Sequence, residues 1–177
     1  MSAEGFPRAH SRLAGSAVPD KPLIRAARPD DAAALHALQM DAIAAIGELH
    51  YTAAQRLAWF GDRTPLHYLA PIVTKLMRVA QADASSPLLG FAQLDLATAS
   101  VEAIYVRPAA QRSGIGRLLL QALERSASGA GAQELWLDAS LNAVPFYMRH
   151  GFEALSAHEH PVGLQMTIPC VRMRKRL

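Results

Sequence analysis

Apolar and polar positions divide the chain into short extended runs and longer stretches at helical spacing. Leu23 to Ala26 is a short strand candidate. Arg28-Pro29-Asp30-Asp31 places proline and acidic residues where a helix begins, and Leu35, Leu38, Ala42 and Ile46 recur on what should be its buried side. Gly47 breaks that helix. Glu48, Leu49, His50 and Tyr51 link it to a second one, about Ala53 to Phe60, capped by Thr52. Thr64-Pro65 starts a short helical turn, Leu66 to Leu69, which Pro71 is expected to cut off. The pattern then becomes extended. Met77, Val79, Leu88, Leu89, Phe91, Leu94 and Leu96 fall in two runs separated by the loop Asp83-Ala84-Ser85-Ser86-Pro87, which predicts two antiparallel strands.

A third strand follows, Ile104-Tyr105-Val106, rich in β-branched and aromatic residues and ended by Pro108. Leu118, Leu119, Ala122 and Leu123 return to helical spacing, Ser126 to Ala132 is a Ser- and Gly-rich turn, and Leu135-Trp136-Leu137 is the next strand. Strand, helix and parallel strand in that order imply a right-handed crossover, with the strands of Tyr105 and Trp136 near neighbours. Asn142 opens a helix containing Phe146 and Tyr147 and closed by Gly151. The stretches 153–158, 164–169 and 171–175 are expected as closing strands, in a register that sequence does not fix. No internal repeat, heptad array or low-complexity tract is visible.

Between the Tyr105 strand and its helix lies Gln111-Arg112-Ser113-Gly114-Ile115-Gly116. The two glycines permit a strained backbone and close approach of a ligand. The first amides of a helix are unpaired and favour an anion such as phosphate. A nucleoside-triphosphate loop requires G-x-x-x-x-G-K-[ST], and a dinucleotide fold requires G-x-G-x-x-G after its first strand; neither is present. Gln111-x-x-Gly114-x-Gly116 instead resembles the pyrophosphate loop of the GNAT superfamily, the acyl-coenzyme-A-dependent N-acetyltransferases. Asn142-Ala143-x-x-Phe146-Tyr147-x-x-x-Gly151-Phe152 resembles, without a gap, the family's next helix.

That resemblance implies an α/β (α+β) fold: a mixed, mostly antiparallel twisted sheet flanked by helices, with splayed parallel strands forming the acetyl-CoA cleft. It implies acetyl-CoA as co-substrate, held by Ile104, Tyr105 and Val106 on the strand, by Gln111, Arg112, Ser113, Gly114, Ile115, Gly116 and Arg117 at the loop, and by Asn142 and Phe146. Asn142 would reach the pantetheine arm, and Tyr147 would face the thioester sulfur. Glu48, His50, Tyr51 and Trp59 become candidates for one wall of the acceptor cleft. Trp59, at helical spacing from Gln55, is expected in the core; Glu48 and His50 suit a solvated loop as well as a substrate wall. Family members are often dimers, and the alanine-rich helices of the first half offer surface for a homodimer.

A chain of 177 residues, about half apolar, suits one core. Met1 to about Lys21 has no apolar periodicity and is expected to be a flexible leader before a single domain, 22–177. No run of about 20 apolar residues suggests a membrane span, and the leader lacks the apolar core of a signal peptide. A single cysteine, Cys170, excludes an internal disulfide framework, suits a reducing, cytoplasmic compartment and is expected to be a buried small hydrophobe. The net charge of +3 favours anionic partners only mildly. Arg107, Arg112 and Arg117 bracket the loop, whereas Arg172, Arg174, Lys175 and Arg176 suit a solvated terminal strand better than a nucleic-acid contact.

Acetyl transfer to an amine needs a polarised carbonyl, a proton donor for the departing thiolate and a neutral amine. A backbone amide on the Tyr105-Val106 strand suits the first. Tyr147 suits the second, because an unperturbed phenol of pKa ~10 stays protonated at neutral pH. Glu102 and Asp95 border the expected cleft, and Glu102 is the candidate base, a salt-bridged surface role being the competing assignment. His158-Glu159-His160 would place both imidazoles on one side of a strand, but no third metal ligand is apparent in sequence and no metal is expected. No G-x-S-x-G elbow occurs, so covalent catalysis is unsupported. The competing function class is an acyl-CoA-binding sensor without turnover; a proton donor such as Tyr147 argues for the enzyme.

Overall fold

Seven strands form one sheet in the order β1-β2-β3-β4-β5-β7-β6 in the computed structural model, which describes residues 22–163 and 166–177. The expected leader lies outside the described residues. β1 (Leu23–Ala26), β2 (Leu76–Gln81), β3 (Leu88–Asp95) and β4 (Ser100–Val106) pair antiparallel in succession. β5 (Glu134–Ser140) joins β4 in parallel. β7 (Met166–Arg176) then pairs antiparallel with both β5 and β6 (Glu153–Val162).

Both faces of the central strands are covered, which is why β3 reads as a nearly continuous apolar run rather than an alternating one. On one face lies α4 (Ile115–Gly129), whose Leu119, Leu120 and Leu123 pack with Leu94, Val101, Leu135 and Leu137. On the other lies α1 (Ala32–Ala44), whose Leu35 and Leu38 pack with Met77, Val79, Phe91 and Tyr68. Each of these fully buried leucines contributes roughly 1.5–3 kcal/mol of transfer free energy. Along β4 the faces alternate: Val101, Ile104 and Val106 face the α4 side, Ala103 and Tyr105 the α1 side.

The helices α2 (Ala53–Phe60), α3 (Leu69–Thr74) and α5 (Val144–Arg149) complete the frame. Thr52 caps α2 as expected, its hydroxyl accepting from the Gln55 amide. Pro71 does not end a helix. It is the third residue of α3, where an amide would have no helical acceptor, so the missing N–H costs nothing and the helix runs on to Thr74. α1 stops short of the expected Ile46, and Ile43 takes the core position. Among the described residues, which leave out 164 and 165 of the expected middle stretch, the closing stretches form two strands, because Pro169 lies inside β7. It pairs only with β6, past the last β5 partner at Cys170, so no ladder bond is lost on its other side. Among the described residues no helix is long and apolar enough to cross a membrane.

Candidate active site

β4 and β5 pair at only two positions, Ser100 with Trp136 and Val101 with Leu137, before they separate. The cause is in β4. Gln93 faces Ala103 and Leu94 faces Val101, so Glu102 is an extra residue. Such a bulge bends its strand and increases the twist, turning the rest of β4 away from β5. The wedge continues into a cavity of about 840 Å³, bounded by β4, by Asp138 and Ser140 of β5, and by Gln39 and Ala42 of α1. Arg107 donates its amide to Leu89 O across the β3 side, 2.9 Å. Alternation along an antiparallel strand therefore turns the amides of Val106 and Ile104 to the open side.

One end of the wedge is the loop between β4 and α4. Arg112 and Gly114 hold positive φ, 62° and 89°, and the first helical bond runs from Leu118 N to Gly114 O, 3.1 Å. The amides of Ile115, Gly116 and Arg117 therefore have no acceptor in the helix, and Gly114 at the cap brings no side chain to take them. A Cβ on Gly116 would stand 3.3 Å from the Phe146 ring, so the bare glycine lets α5 close on the start of α4. Phe146 is held there between Tyr147 and His150, with ring centroids 5.1 and 4.5 Å away. Arg112 and Arg117 are exposed and make no ion pair among the described residues. Ser113 turns its hydroxyl back to Ala110 O, 2.6 Å, while Gln111 lines the cavity. With free amides, two guanidinium groups and no carboxylate between Arg107 and Arg117, these residues fit a diphosphate. Arg107 is the exception to the expected bracket. Its guanidinium turns away, to Leu88 O at 3.0 Å and Asp41 at 3.6 Å.

The other end holds Tyr147. It is buried, with its ring packed edge-on against Phe146 and Phe152, yet it lines the cavity. Burial first, and the Tyr105 phenol second, push its pKa far above the usual phenol value. Asn142 is exposed at the cavity, in the turn before α5 rather than as its first residue. Glu102 also lines the cavity, but both of its oxygens accept bonds, from Lys75 at 3.2 Å and from the Gln93 amide; Lys75 also pairs with Asp95 at 2.5 Å.

Of the expected acceptor wall, His50 reaches the cavity. Tyr51 does not. It is 1% exposed, donates its hydroxyl to Pro169 O and accepts from Leu141 N, both at 2.8 Å, and so fastens the α1–α2 link to β7 and to the end of β5. Glu48 points to solvent beside Arg56, 3.8 Å away. Trp59 is half-buried, packed on the core cluster of Tyr51, Ile168 and Cys170 as expected, and it also lines the cavity.

Sequence reading missed Gln39, Asp138, Ser140 and Cys170 as cavity residues. Gln39 had a signal, a polar residue on the buried side of α1; it accepts from the Tyr68 hydroxyl at 2.6 Å. Cys170 is buried as expected, its thiol pushed up to about 11, chiefly by burial. The His158 and His160 pair does find a third donor. Asp138 brings a carboxylate oxygen to them, and the three donor atoms all lie within 4.8 Å of one another.

Comparison with known proteins gives the following. The family model described as an acetyltransferase (GNAT) domain matches residues 67–177. An uncharacterized N-acetyltransferase, YjcF of Bacillus subtilis (strain 168), is 37% identical over 75 residues, 42% of this chain and 51% of that protein. The match thus spans about half the length of this curated relative. Among solved structures, a GCN5-related N-acetyltransferase from Rhodopseudomonas palustris, also described as "Aminotransferase, Class-II", superposes with a TM-score of 0.81 at 27% identity over 88% of this chain and 96% of that one. The PaiA N-acetyltransferase of Thermoplasma acidophilum, solved in complex with coenzyme A, gives 0.72 at 20% identity, over 89% and 99%, a likeness of fold.

Proposed function

Since the chain belongs to the GNAT acetyltransferase family, we propose that it transfers an acetyl group from acetyl-CoA to a primary amine, of a small molecule or a peptide, directly within a ternary complex. One observation carries this reading: β4 and β5 part after two paired residues, leaving free helix amides at one end of the wedge and the Tyr147 phenol at the other. The coenzyme-bound fold neighbour supports it.

Bound in the wedge, acetyl-CoA supplies the activated thioester carbonyl. The amides of Ile115, Gly116 and Arg117, with Arg112 and Arg117, hold its diphosphate. Asn142 holds the pantetheine arm. The Val106 or Ile104 amide on the open edge of β4 takes the charge that develops on the carbonyl oxygen. Tyr147 gives a proton to the departing sulfur; its raised pKa keeps that proton in place at neutral pH. The acceptor enters from the α1–α2 side, past His50 and Trp59. Glu102 stays the candidate base; each of its oxygens already accepts one bond, from Lys75 or from Gln93, and keeps a second lone pair for a proton. A coenzyme-release assay over a panel of small and peptide amines tests the proposal. Acetyl-CoA-dependent thiol release on at least one acceptor is the expected result; tight acetyl-CoA binding with no release on any would favour a sensor instead.

A further inference from the structure

His158 and His160 stand two residues apart on β6 and so share one face of the sheet. Their β7 partners are Cys170 and Ile168, while Arg172, two residues further along β7, pairs with Asp138 of β5. The alternation on three adjacent strands thus puts Asp138, His158 and His160 on the same face, across β7. Asp138 and His160 line the acceptor side of the cavity.

The Asp138 Oδ1 atom carries a second signal. It is buried and, among the described residues, receives no hydrogen bond of regular geometry. Arg172 Nε at 2.6 Å and His158 Nε2 at 3.4 Å are near enough, but neither aims an N–H at it. Two imidazoles and a carboxylate are a donor set suited to borderline divalent transition metals. Zinc takes such donors at about 2.0–2.2 Å, and three donors that start within 4.8 Å of each other close on one ion by small side-chain rotations.

We propose that Asp138, His158 and His160 form a divalent transition-metal site of the zinc class on the acceptor side of the cavity. Three protein ligands leave a position open, and with Asp138 and His160 lining the cavity this position faces the space the acceptor would enter. The Arg172 guanidinium beside the carboxylate opposes the cation. The ligand set does not depend on the acetyl-transfer reading, since none of its three residues has been given a part in that reaction, while its description as acceptor-facing rests on that reading.

The test uses tag-free, metal-stripped full chain without acetyl-CoA, titrated with Co2+ by visible absorption and with Zn2+ by calorimetry. One ion per chain is expected, with the intense Co2+ bands of a low-coordinate site. His160→Ala and His158→Ala each weaken binding by more than the roughly 10- to 100-fold that loss of an outer-shell partner costs. Arg172→Gln tightens it. His160 is exposed, so its replacement leaves the fold intact, which equal melting temperatures of the metal-free proteins confirm. Absence of binding at millimolar metal, or binding and stoichiometry unchanged in the His158→Ala/His160→Ala double variant, would overturn the site.

Discussion

Replacing Tyr147 by Phe removes one oxygen from the centre of the proposed chemistry and nothing from the packing. The ring sits between Phe146 and Phe152 at centroid distances of 5.1 and 5.4 Å, contacts that phenylalanine keeps. The hydroxyl makes no hydrogen bond among the described residues, so its loss strands no partner. Stability should move by no more than about 0.5 kcal/mol. Turnover should not be spared. A positioned general acid contributes roughly 10²- to 10⁴-fold, so a loss at the low end is about 100-fold in kcat, or about 2.7 kcal/mol of barrier. Because the diphosphate is held at the far end of the wedge, the affinity for acetyl-CoA should hold. Thiol release at saturating acetyl-CoA gives kcat, and calorimetry gives the affinity. The raised phenol pKa adds a check: no loss of rate between pH 7 and 10 should trace to ionisation of Tyr147. A variant within about threefold of the parent turnover, far below general-acid effects, would refute the role.

Gly114→Val places a β-branched residue at φ 89°, a strain of about 1–3 kcal/mol; acetyl-CoA binding should weaken by about tenfold or more, and an unchanged dissociation constant would remove this turn from the phosphate site. Tyr51→Phe leaves Leu141 N and Pro169 O without their common partner and should lower stability by about 1–3 kcal/mol in urea unfolding; an unchanged midpoint would show that the link carries no stability. Alkaline pH should destabilise the fold. Burial raises Tyr51, Tyr68 and Tyr105 from 10.0 to about 12 and Cys170 from 9.0 to about 11. Each folded pKa lies above its unfolded value, so this stability is complete below pH 9 and is lost as pH rises through 11 to 12. A melting temperature that stays flat to pH 11.5 would contradict this.

Local chemistry made much of the fold legible. The Thr52 cap, the Asp83–Pro87 loop and the glycine turn before α4 act over a few residues, and each stands where its sequence signal lies. Order along the chain also located the Tyr105 and Trp136 strands as parallel neighbours. What was misread depends on register or depth. Pro71 and Pro169 look like terminators until their missing amides are seen to face places where no bond was due. Tyr51 looks like a ligand contact because an aromatic in a loop gives no sign of which way it turns; its two hydrogen-bond partners lie 90 and 118 residues further along the chain. Glu102 is both on the cleft and in an ion pair, so neither sequence-level option was complete. Asp138 could not be matched to His158 and His160, because they meet only through the pairing of β7 with both of its neighbours.

The central claim is that the turn before α4 holds the diphosphate and so lays the thioester between β4 and Tyr147. A crystal structure with acetyl-CoA measures it directly. Diphosphate oxygens are expected within hydrogen-bonding distance of the Ile115, Gly116 and Arg117 amides, and the thioester sulfur beside the Tyr147 hydroxyl. Coenzyme bound elsewhere on the chain, or bound in the wedge with its sulfur pointing away from Tyr147, would contradict it.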